Sequence, residues 1–283
     1  MDNAQVIKEP ILSFGESQII FHENDGYVPP EQSANVLFNF MKNLDYLKLI
    51  LTDKAMVPRY YEETLNYLNI VNIKSIAFPM TCFCDIHLNK LVPHMSFYGH
   101  FGIGLNKEWG IKKGIQPIHY INVESHLKHD FSRIFEYALN LSAEEKSGLN
   151  NEYDDFLLTN LLYMKPLNGK MLRNEKYEER NFHDEREWRY IPKLSESSTD
   201  LPLLVPPEQL NPKAYNIYSN GLRRCQDLWL KLDYKNIKYL IVKGEEDRKE
   251  LISFIETEIS AETIEKHILI SKILVFDELK EDW

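Results

Sequence analysis

The sequence predicts an α+β fold, because predicted strands and helices are mixed along the chain. Short apolar runs typical of buried strands are separated by amphipathic segments typical of helices. These segments do not alternate strictly between strand and helix, as they would in a doubly wound parallel sheet. The composition, with 43% hydrophobic and 27% charged residues, is that of an ordinary globular protein. A chain of 283 residues suits one large domain or two small ones, and we expect one domain that spans residues 1–283.

The first element with a clear pattern is a strand at residues 34–41, in which Asn39 interrupts the apolar run that begins at Val36. An amide in such a strand is either satisfied within the core or contacts a ligand. Asn43 is suited to cap the helix that follows, which extends to about Leu51 with leucines on one stripe. Residues 58–63 are predicted as a short helix, because proline is favoured in a first helical turn.

The central part of the chain, residues 74–122, contains three predicted strands. The first is the apolar run at residues 76–83, whose length and β-branched and aromatic content suit a buried strand. A run with two glycines follows at residues 101–105, and a third apolar run lies at residues 118–121. Three strands this close in sequence are typical of a unit that builds a site.

A helix between the first two of these strands carries two candidate ligand contacts. Asp85 is predicted to cap this helix, since a carboxylate accepts hydrogen bonds from free first-turn amides, and Gly99 ends it. His94 and Tyr98 are four residues apart and therefore share a face. They can contact one ligand together, although a lone histidine on a helix is more often a structural hydrogen-bonding residue.

The second half of the chain is predicted to be mainly helical at first, with a helical insertion at about residues 124–180. The polar residues 166–182 show no periodicity and are predicted to form a mobile loop. The later segments are predicted as a mostly helical region at 207–232, a strand at 237–243, a helix at 245–259, a helical turn at 261–267 and a last strand at 268–276.

Two acidic residues form the sharpest chemical feature of the sequence. If residues 182–192 are a strand, Glu185 and Glu187 lie on one face together with Arg189. Two such carboxylates can divide their roles, one orienting a substrate and the other stabilising positive charge. The alternative is a solvated strand face on which glutamate and arginine alternate.

The cysteine pattern favours free thiols and no metal. Cys82, Cys84 and Cys225 are too few for a disulfide framework, which suggests a reducing compartment. The C-x-C pair with His87 lacks the spacer usual in zinc sites, and no second pair follows. The phosphate-binding loop, the dinucleotide G-x-G-x-x-G motif and the G-x-S-x-G elbow are also absent.

The formal charge of −10 counts against broad electrostatic attraction to nucleic acid or to a membrane. The N-terminal residues lack the pattern of a secretory signal, and no apolar run approaches about 18 residues. The expected location is therefore the cytoplasm, without contact to a membrane.

Several motifs together resemble the AbiGi-like family of abortive-infection phage-resistance proteins. The resemblance covers most of residues 35–192 and rests on FNFMKNLDYLKLIL, FPMTCFCDIHL, GIGLNKEWGIKKGIQPIHYI and DEREWRYIP in this order. More distantly, the order of parts resembles the ADP-ribosyltransferase fold, including DarT-like toxins that modify nucleic acid. This second resemblance implies a mixed sheet core with peripheral helices and NAD as a substrate.

The resemblance also implies roles for particular residues. Glu187 would stabilise the oxocarbenium-like state at the ribose, and Glu185 would orient the acceptor. Asn39 stands where the fold commonly has a histidine that holds the NAD ribose. Tyr61 is one of the tyrosines available to stack on nicotinamide or adenine. The implied NAD-binding residues are Asn39, Asn43, Arg59, Tyr60, Phe83, His94 and Tyr98.

The implied function is that of a toxin in a phage-defence or toxin–antitoxin system. Such an enzyme would transfer ADP-ribose from NAD to a nucleic acid, with RNA favoured, and a cognate antitoxin would neutralise it. One alternative is a non-enzymatic antitoxin that binds and silences a toxin. Another is an NAD glycohydrolase, which hydrolyses NAD without transfer.

Overall fold

The structure is a computed structural model that describes residues 33–141, 149–173 and 176–280 of the chain. The strands of this part are β1 (Val36–Met41), β2 (Ala55–Met56), β3 (Arg59–Thr64), β4 (Ser75–Cys84), β5 (Phe101–Asn106), β6 (Gln116–Pro117), β7 (His119–Ile121), β8 (Met164–Pro166), β9 (Asn168–Arg173), β10 (Lys176–Asn181), β11 (Glu187–Tyr190), β12 (Leu230–Lys231), β13 (Ile237–Val242) and β14 (Ile273–Val275). The α-helices are α1 (Leu44–Asp53), α2 (Val92–Tyr98), α3 (Lys107–Lys112), α4 (His126–Asn140), α5 (Leu149–Leu162), α6 (Pro212–Leu222), α7 (Glu245–Thr257), α8 (Thr263–Ile270) and α9 (Phe276–Leu279).

The central sheet has the strand order β14-β13-β5-β1-β4-β11-β6, and β3 also pairs with β4. β13 and β14 run parallel, whereas the other paired strands of this sheet are antiparallel. A mixed sheet with helices packed against it confirms the α+β class. The similarity of its core to ADP-ribosyltransferases stays a prediction.

Hydrophobic side chains pack on both faces of this sheet. Phe83 of β4 belongs to the cluster that α1 and α7 complete, where Leu47 and Ile255 are fully buried. Phe78 of the same strand packs with Phe131 of α4 and with α5. Phe78 and Phe83 are an odd number of residues apart, so their side chains point to opposite faces. The sheet is therefore covered on both sides.

The elements with strong local signals form as the sequence predicts. Asn43 caps α1, because its side-chain oxygen accepts a hydrogen bond of 2.9 Å from the Asp45 amide. The leucines at positions 44, 47 and 51 are buried on one stripe of this helix. The three strands of the central stretch appear as β4, β5 and β7.

The prediction of a helix at residues 58–63 is wrong, because most of these residues belong to β3. The strand pairs with β4 over its whole length. The hydrogen bonds that the buried strand β4 offers therefore outweigh the tendency of proline to start a helix. Its side chains alternate between the two sides of the sheet. Tyr60 is buried, whereas the neighbouring Tyr61 is 47% exposed.

The mobile loop predicted at residues 166–182 is also wrong. The hairpin of β9 and β10 occupies most of this segment. Its strands pair with each other and do not cover an apolar core, so their polar sequence lacks the periodicity that would predict them. Within the region 124–180, helices α4 and α5 come first and β8 to β10 follow. The last predicted strand is shorter than expected, because residues 268–270 belong to α8.

Candidate functional site

The candidate site lies where the central sheet divides. β1 pairs with β5 along its whole length, but among the described residues it meets β4 in one pair, Phe38 with Cys84. β3 begins to pair with β4 at Met80. Between these pairings, the side-chain amide of Asn39 donates a hydrogen bond of 2.8 Å to the Cys82 carbonyl. The division leaves a cleft of about 620 Å³.

Charged side chains of both signs meet at one end of this cleft. Lys165 of β8 places its Nζ atom 2.9 Å from Glu187 Oε2 and 3.0 Å from Glu185 Oε2. Arg189 Nε donates to Glu187 Oε1, and Arg180 Nε donates to Glu185 Oε1, each over 2.7 Å. Arg189 Nη2 lies 3.1 Å from a third carboxylate, that of Glu63. The charged cluster therefore consists of Glu63, Lys165, Arg180, Glu185, Glu187 and Arg189.

Glu185 does not lie on the same strand as Glu187, so the prediction of one strand over residues 182–192 is wrong. It ends a 3-10 helix, Phe182–Glu185, and Arg186 then adopts a left-handed conformation with φ 43° before β11 begins at Glu187. The two carboxylates nevertheless come together, because Lys165 contacts both. Both side chains are buried, in contrast to the solvated face considered as the alternative.

The cations of the cluster keep Glu185 and Glu187 ionised. Burial alone would raise the pKa of Glu187, but Arg189 and Lys165 outweigh that effect and hold the pKa well below its usual range. Burial likewise opposes ionisation of Glu185, yet Lys165 and the hydrogen bonds from Tyr98 and Arg180 lower its pKa. The pKa of Lys165 is raised, because its acidic neighbours outweigh its burial. Glu187 therefore carries a fixed negative charge at neutral pH.

Helix α2 supplies the aromatic wall of this end of the cleft. Tyr98 donates a hydrogen bond of 2.6 Å to Glu185 Oε1, and its ring centroid lies 4.5 Å from that of His94. The predicted shared face of these two residues is confirmed. The predicted cap is wrong, because Asp85 forms an ion pair with Lys107 and α2 begins later, at Val92.

His94 should make the protein less stable in mild acid. Its burial, opposed by Glu185, lowers the pKa from 6.5 to about 4. Between these values the unfolded chain binds a proton that the folded chain does not, so stability falls as the pH drops. His94→Phe keeps the ring contact and should flatten the fall of the melting temperature between pH 6.5 and pH 4.

The exposed His129 provides the control for this prediction, and His129→Gln should keep the pH dependence of the unmodified protein. If His94→Phe follows the same curve as the unmodified protein, His94 does not account for the acid sensitivity.

The solvent-exposed mouth of the cleft has aromatic and cationic side chains. Tyr46 of α1 and Tyr61 of β3 line it and are 48% and 47% exposed. Lys42, Arg59 and Arg223 also line the cleft. This mouth therefore offers flat rings and positive charge, although the whole chain is acidic.

The structure brings most of the predicted site residues to the cleft. Those lining it are Asn39, Arg59, Phe83, His94, Tyr98, Glu185 and Glu187. Two others lie elsewhere. Tyr60 points to the far side of β3, where its hydroxyl donates to the Pro202 carbonyl, and Asn43 is used as the cap of α1. Tyr61, rather than Tyr60, lines the cleft.

Lys165 is the central site residue that the sequence interpretation missed. The sequence feature that could have indicated it is its position directly after the apolar residues 161–164. A lysine next to such a run is buried only when it is paired, so a buried lysine there implies acidic partners. Its partners lie 20 and 22 residues away, so the sequence alone does not identify them.

The remaining predictions concern thiols, metals and membranes. Cys82, Cys84 and Cys225 are free, and burial raises the pKa of the first two thiols. In the described ranges, no group of three or more histidine, cysteine or acidic side chains is arranged to hold a metal ion. None of the helices in these ranges combines the length and the apolar character needed to cross a membrane.

Comparisons with known proteins identify relatives for most of the chain. Residues 54–243 match the model of a family described as "Putative abortive phage resistance protein AbiGi, antitoxin". The chain is also 36% identical over 254 residues to the abortive phage resistance protein AbiGi of Lactococcus lactis subsp. cremoris, covering 81% of this chain and 100% of that protein. No solved structure matches the chain.

Proposed function

This chain belongs to the AbiGi family of abortive phage resistance proteins, and on that premise we propose that it is an NAD-dependent ADP-ribosyltransferase of phage defence. The acceptor we propose is nucleic acid, with RNA favoured. The observation that carries the proposal is the Glu187 carboxylate, which lines a cleft of about 620 Å³ and is paired with Lys165 and Arg189.

The chemistry of the charged cluster suits cleavage of the nicotinamide–ribose bond. As that bond breaks, its electron pair leaves with the nicotinamide nitrogen, and positive charge develops on the ribose. A fixed carboxylate next to the ribose stabilises this charge. Glu187 is ionised, and although its two oxygens accept from Arg189 and Lys165, a carboxylate has about four acceptor positions in total. It therefore retains capacity for a ribose hydroxyl.

Glu185 and the acceptor complete the reaction. The acceptor nucleophile forms a bond to the ribose carbon and releases its proton to solvent water. Glu185 lies beside Glu187 and is held by Tyr98 and Arg180, so we assign it the orientation of the acceptor rather than strong base catalysis. Its lowered pKa makes it a weak base.

The other residues of the cleft fit the remaining parts of NAD. A volume of about 620 Å³ lies within the usual range for cofactor sites. Arg59 and Arg223 supply planar cations for a pyrophosphate. The half-exposed rings of Tyr46 and Tyr61 provide surfaces on which a base can stack. Asn39 adds a side-chain oxygen at the point where the sheet divides.

The test follows label from NAD into separate acceptor pools. Purified protein is incubated with NAD labelled in its adenylate phosphate and with RNA, single-stranded DNA, double-stranded DNA or cell protein, while nicotinamide release is measured. We expect label in RNA, and a loss of at least about a hundredfold in transfer for Glu187→Gln. Label in a different pool would retain the enzyme and change the acceptor.

Matched variants separate a chemical effect from a folding effect. Glu256→Gln makes the same change on the exposed side of α7 and should leave transfer intact. Glu187→Asp keeps the charge of the cluster but withdraws the carboxylate by one methylene, so it should fold and still lose most activity. Release of nicotinamide without labelled macromolecule would identify an NAD glycohydrolase instead.

A second candidate function is that of a non-enzymatic antitoxin, which the description of the matching family as an antitoxin favours. Such a protein would bind and silence a cognate toxin. It would release no nicotinamide although folded, and Glu187→Gln would leave neutralisation unchanged in a co-expression growth assay. In the enzymatic case the chain itself would arrest growth, and a partner protein would relieve the arrest.

A further inference from the structure

Lys165 occupies a position between the two acidic residues of the cleft. Its ammonium nitrogen donates to Glu187 Oε2 and to Glu185 Oε2, at 2.9 and 3.0 Å. The side chain is only 11% exposed and lies over the ring of Phe182, 4.6 Å from its centroid. One cation thus faces both carboxylates in a site that water reaches poorly.

The charges around this lysine balance. Within the described residues, the charged cluster contains three carboxylates and three cations. Without Lys165, the carboxylates would outnumber the remaining cations by one. The titratable and charged groups that face the two acids from the neighbouring elements are Glu63, Cys82, Cys84, His94, Tyr98, Tyr120, Arg180 and Arg189.

We propose that Lys165 is a positioning residue for the transfer reaction, holding Glu185 and Glu187 side by side in their ionised form. This role rests on the transfer activity proposed above. Two carboxylates that share a poorly solvated site without a cation between them do not both stay ionised, and one of them takes up a proton. A protonated Glu187 has no charge with which to stabilise the ribose cation.

The neighbouring groups do not replace this lysine. Arg189 contacts Glu187 and Glu63, and Arg180 contacts Glu185, so each arginine serves one member of the pair. His94 is neutral at neutral pH because burial lowers its pKa to about 4. Tyr98 donates a hydrogen bond but carries no charge. In the described cluster, Lys165 is therefore the cation common to both acids.

The experiment compares Lys165→Met with Lys165→Arg, which keeps the charge. Carboxyl carbons of glutamate are followed by nuclear magnetic resonance as the pH is varied, with Glu185→Gln and Glu187→Gln used to assign the signals. In Lys165→Met, one of the two carboxyls should titrate in the neutral range, and nicotinamide release should fall about tenfold between pH 8 and pH 6. Lys165→Arg keeps the positive charge, so neither carboxyl should titrate in the neutral range.

A double variant provides the internal control. Lys165→Met combined with Glu185→Gln removes one charge of each sign, so Glu187 should stay ionised and the acid loss should disappear. If Lys165→Met does not fold, Lys165→Gln takes its place, since it keeps hydrogen-bond donors without the charge and carries the same expectation.

The outcomes distinguish this inference from the proposed function. Equal loss of activity at every pH, with no carboxyl that titrates in the neutral range, would overturn the role of Lys165 and leave a structural one. If the carboxyl titrates as expected while the unmodified protein releases no nicotinamide, the transfer activity is overturned, and Lys165 still maintains the ionised pair.

Discussion

Replacing Arg189 with methionine is expected to lower the free energy of unfolding by about 3–5 kcal/mol. The guanidinium has no exposed surface, and it contacts Glu187, Glu63 and the Leu162 carbonyl. Methionine fills part of the volume but supplies no charge, so the buried Glu187 carboxylate and the partly buried Glu63 carboxylate lose a partner. The Leu162 carbonyl also loses its donor. The measurement is urea denaturation at pH 7, followed by circular dichroism.

Two comparisons show whether the loss comes from the buried charge. Arg133→Met makes the same chemical change on the exposed side of α4, where Arg133 pairs with Asp130, and should leave stability unaltered. Adding Glu187→Gln to Arg189→Met should recover part of the loss, because it removes one of the uncompensated carboxylates. A change of less than about 1 kcal/mol for Arg189→Met would mean that the pairing stabilises the fold no more than a surface ion pair does.

Replacing Gly99 with alanine is expected to cost about 4 kcal/mol or more and to disrupt the site. Gly99 has a backbone φ of 138°, which residues other than glycine rarely adopt. A Cβ atom added at this position would lie 2.1 Å from the Met41 carbonyl oxygen. Because the clash involves the backbone of β1, no side-chain rotation relieves it. The strain would push α2, with His94 and Tyr98, away from the sheet.

Gly114→Ala is the matched control for this substitution. Gly114 also has a positive φ, 75°, but an added Cβ would meet no atom within 4 Å. Its expected cost is therefore only that of the left-handed conformation, about 1–2 kcal/mol. Thermal unfolding and nicotinamide release are measured for both variants. Equal stability of the two would show that α2 and β1 separate without cost.

The sequence predicts the parts of the fold that depend on local signals. The apolar run of β4, the cap at Asn43 and the end of α2 at Gly99 all appear as expected. The errors occur where distant contacts decide. Residues 58–63 become a strand because β4 offers them an edge, and the polar hairpin of β9 and β10 shows no apolar periodicity.

For the candidate site too, the sequence predicts some features and not others. The proximity of Glu185 and Glu187 is predictable from their spacing, but their burial and their common partner are not, because Lys165 comes from a strand 20 or more residues earlier. The left-handed turn at Arg186 also has no glycine or asparagine to indicate it. Alternation of side chains along β3 explains why Tyr61, and not Tyr60, reaches the cleft.

The division of the central sheet also bears on how the protein opens and refolds. Cooperative units in proteins follow continuous hydrogen-bonded ladders, and the ladder between β1 and β4 contains one residue pair. We therefore expect the strands β14-β13-β5-β1 and the strands β4-β11-β6 to behave as two foldons. Shared apolar packing and the Asn39 side chain join them along the seam between β1 and β4. Amide hydrogens along this seam exchange with solvent when the foldons part. A molecule bound in the seam couples them, so ligand binding and global cooperativity are linked.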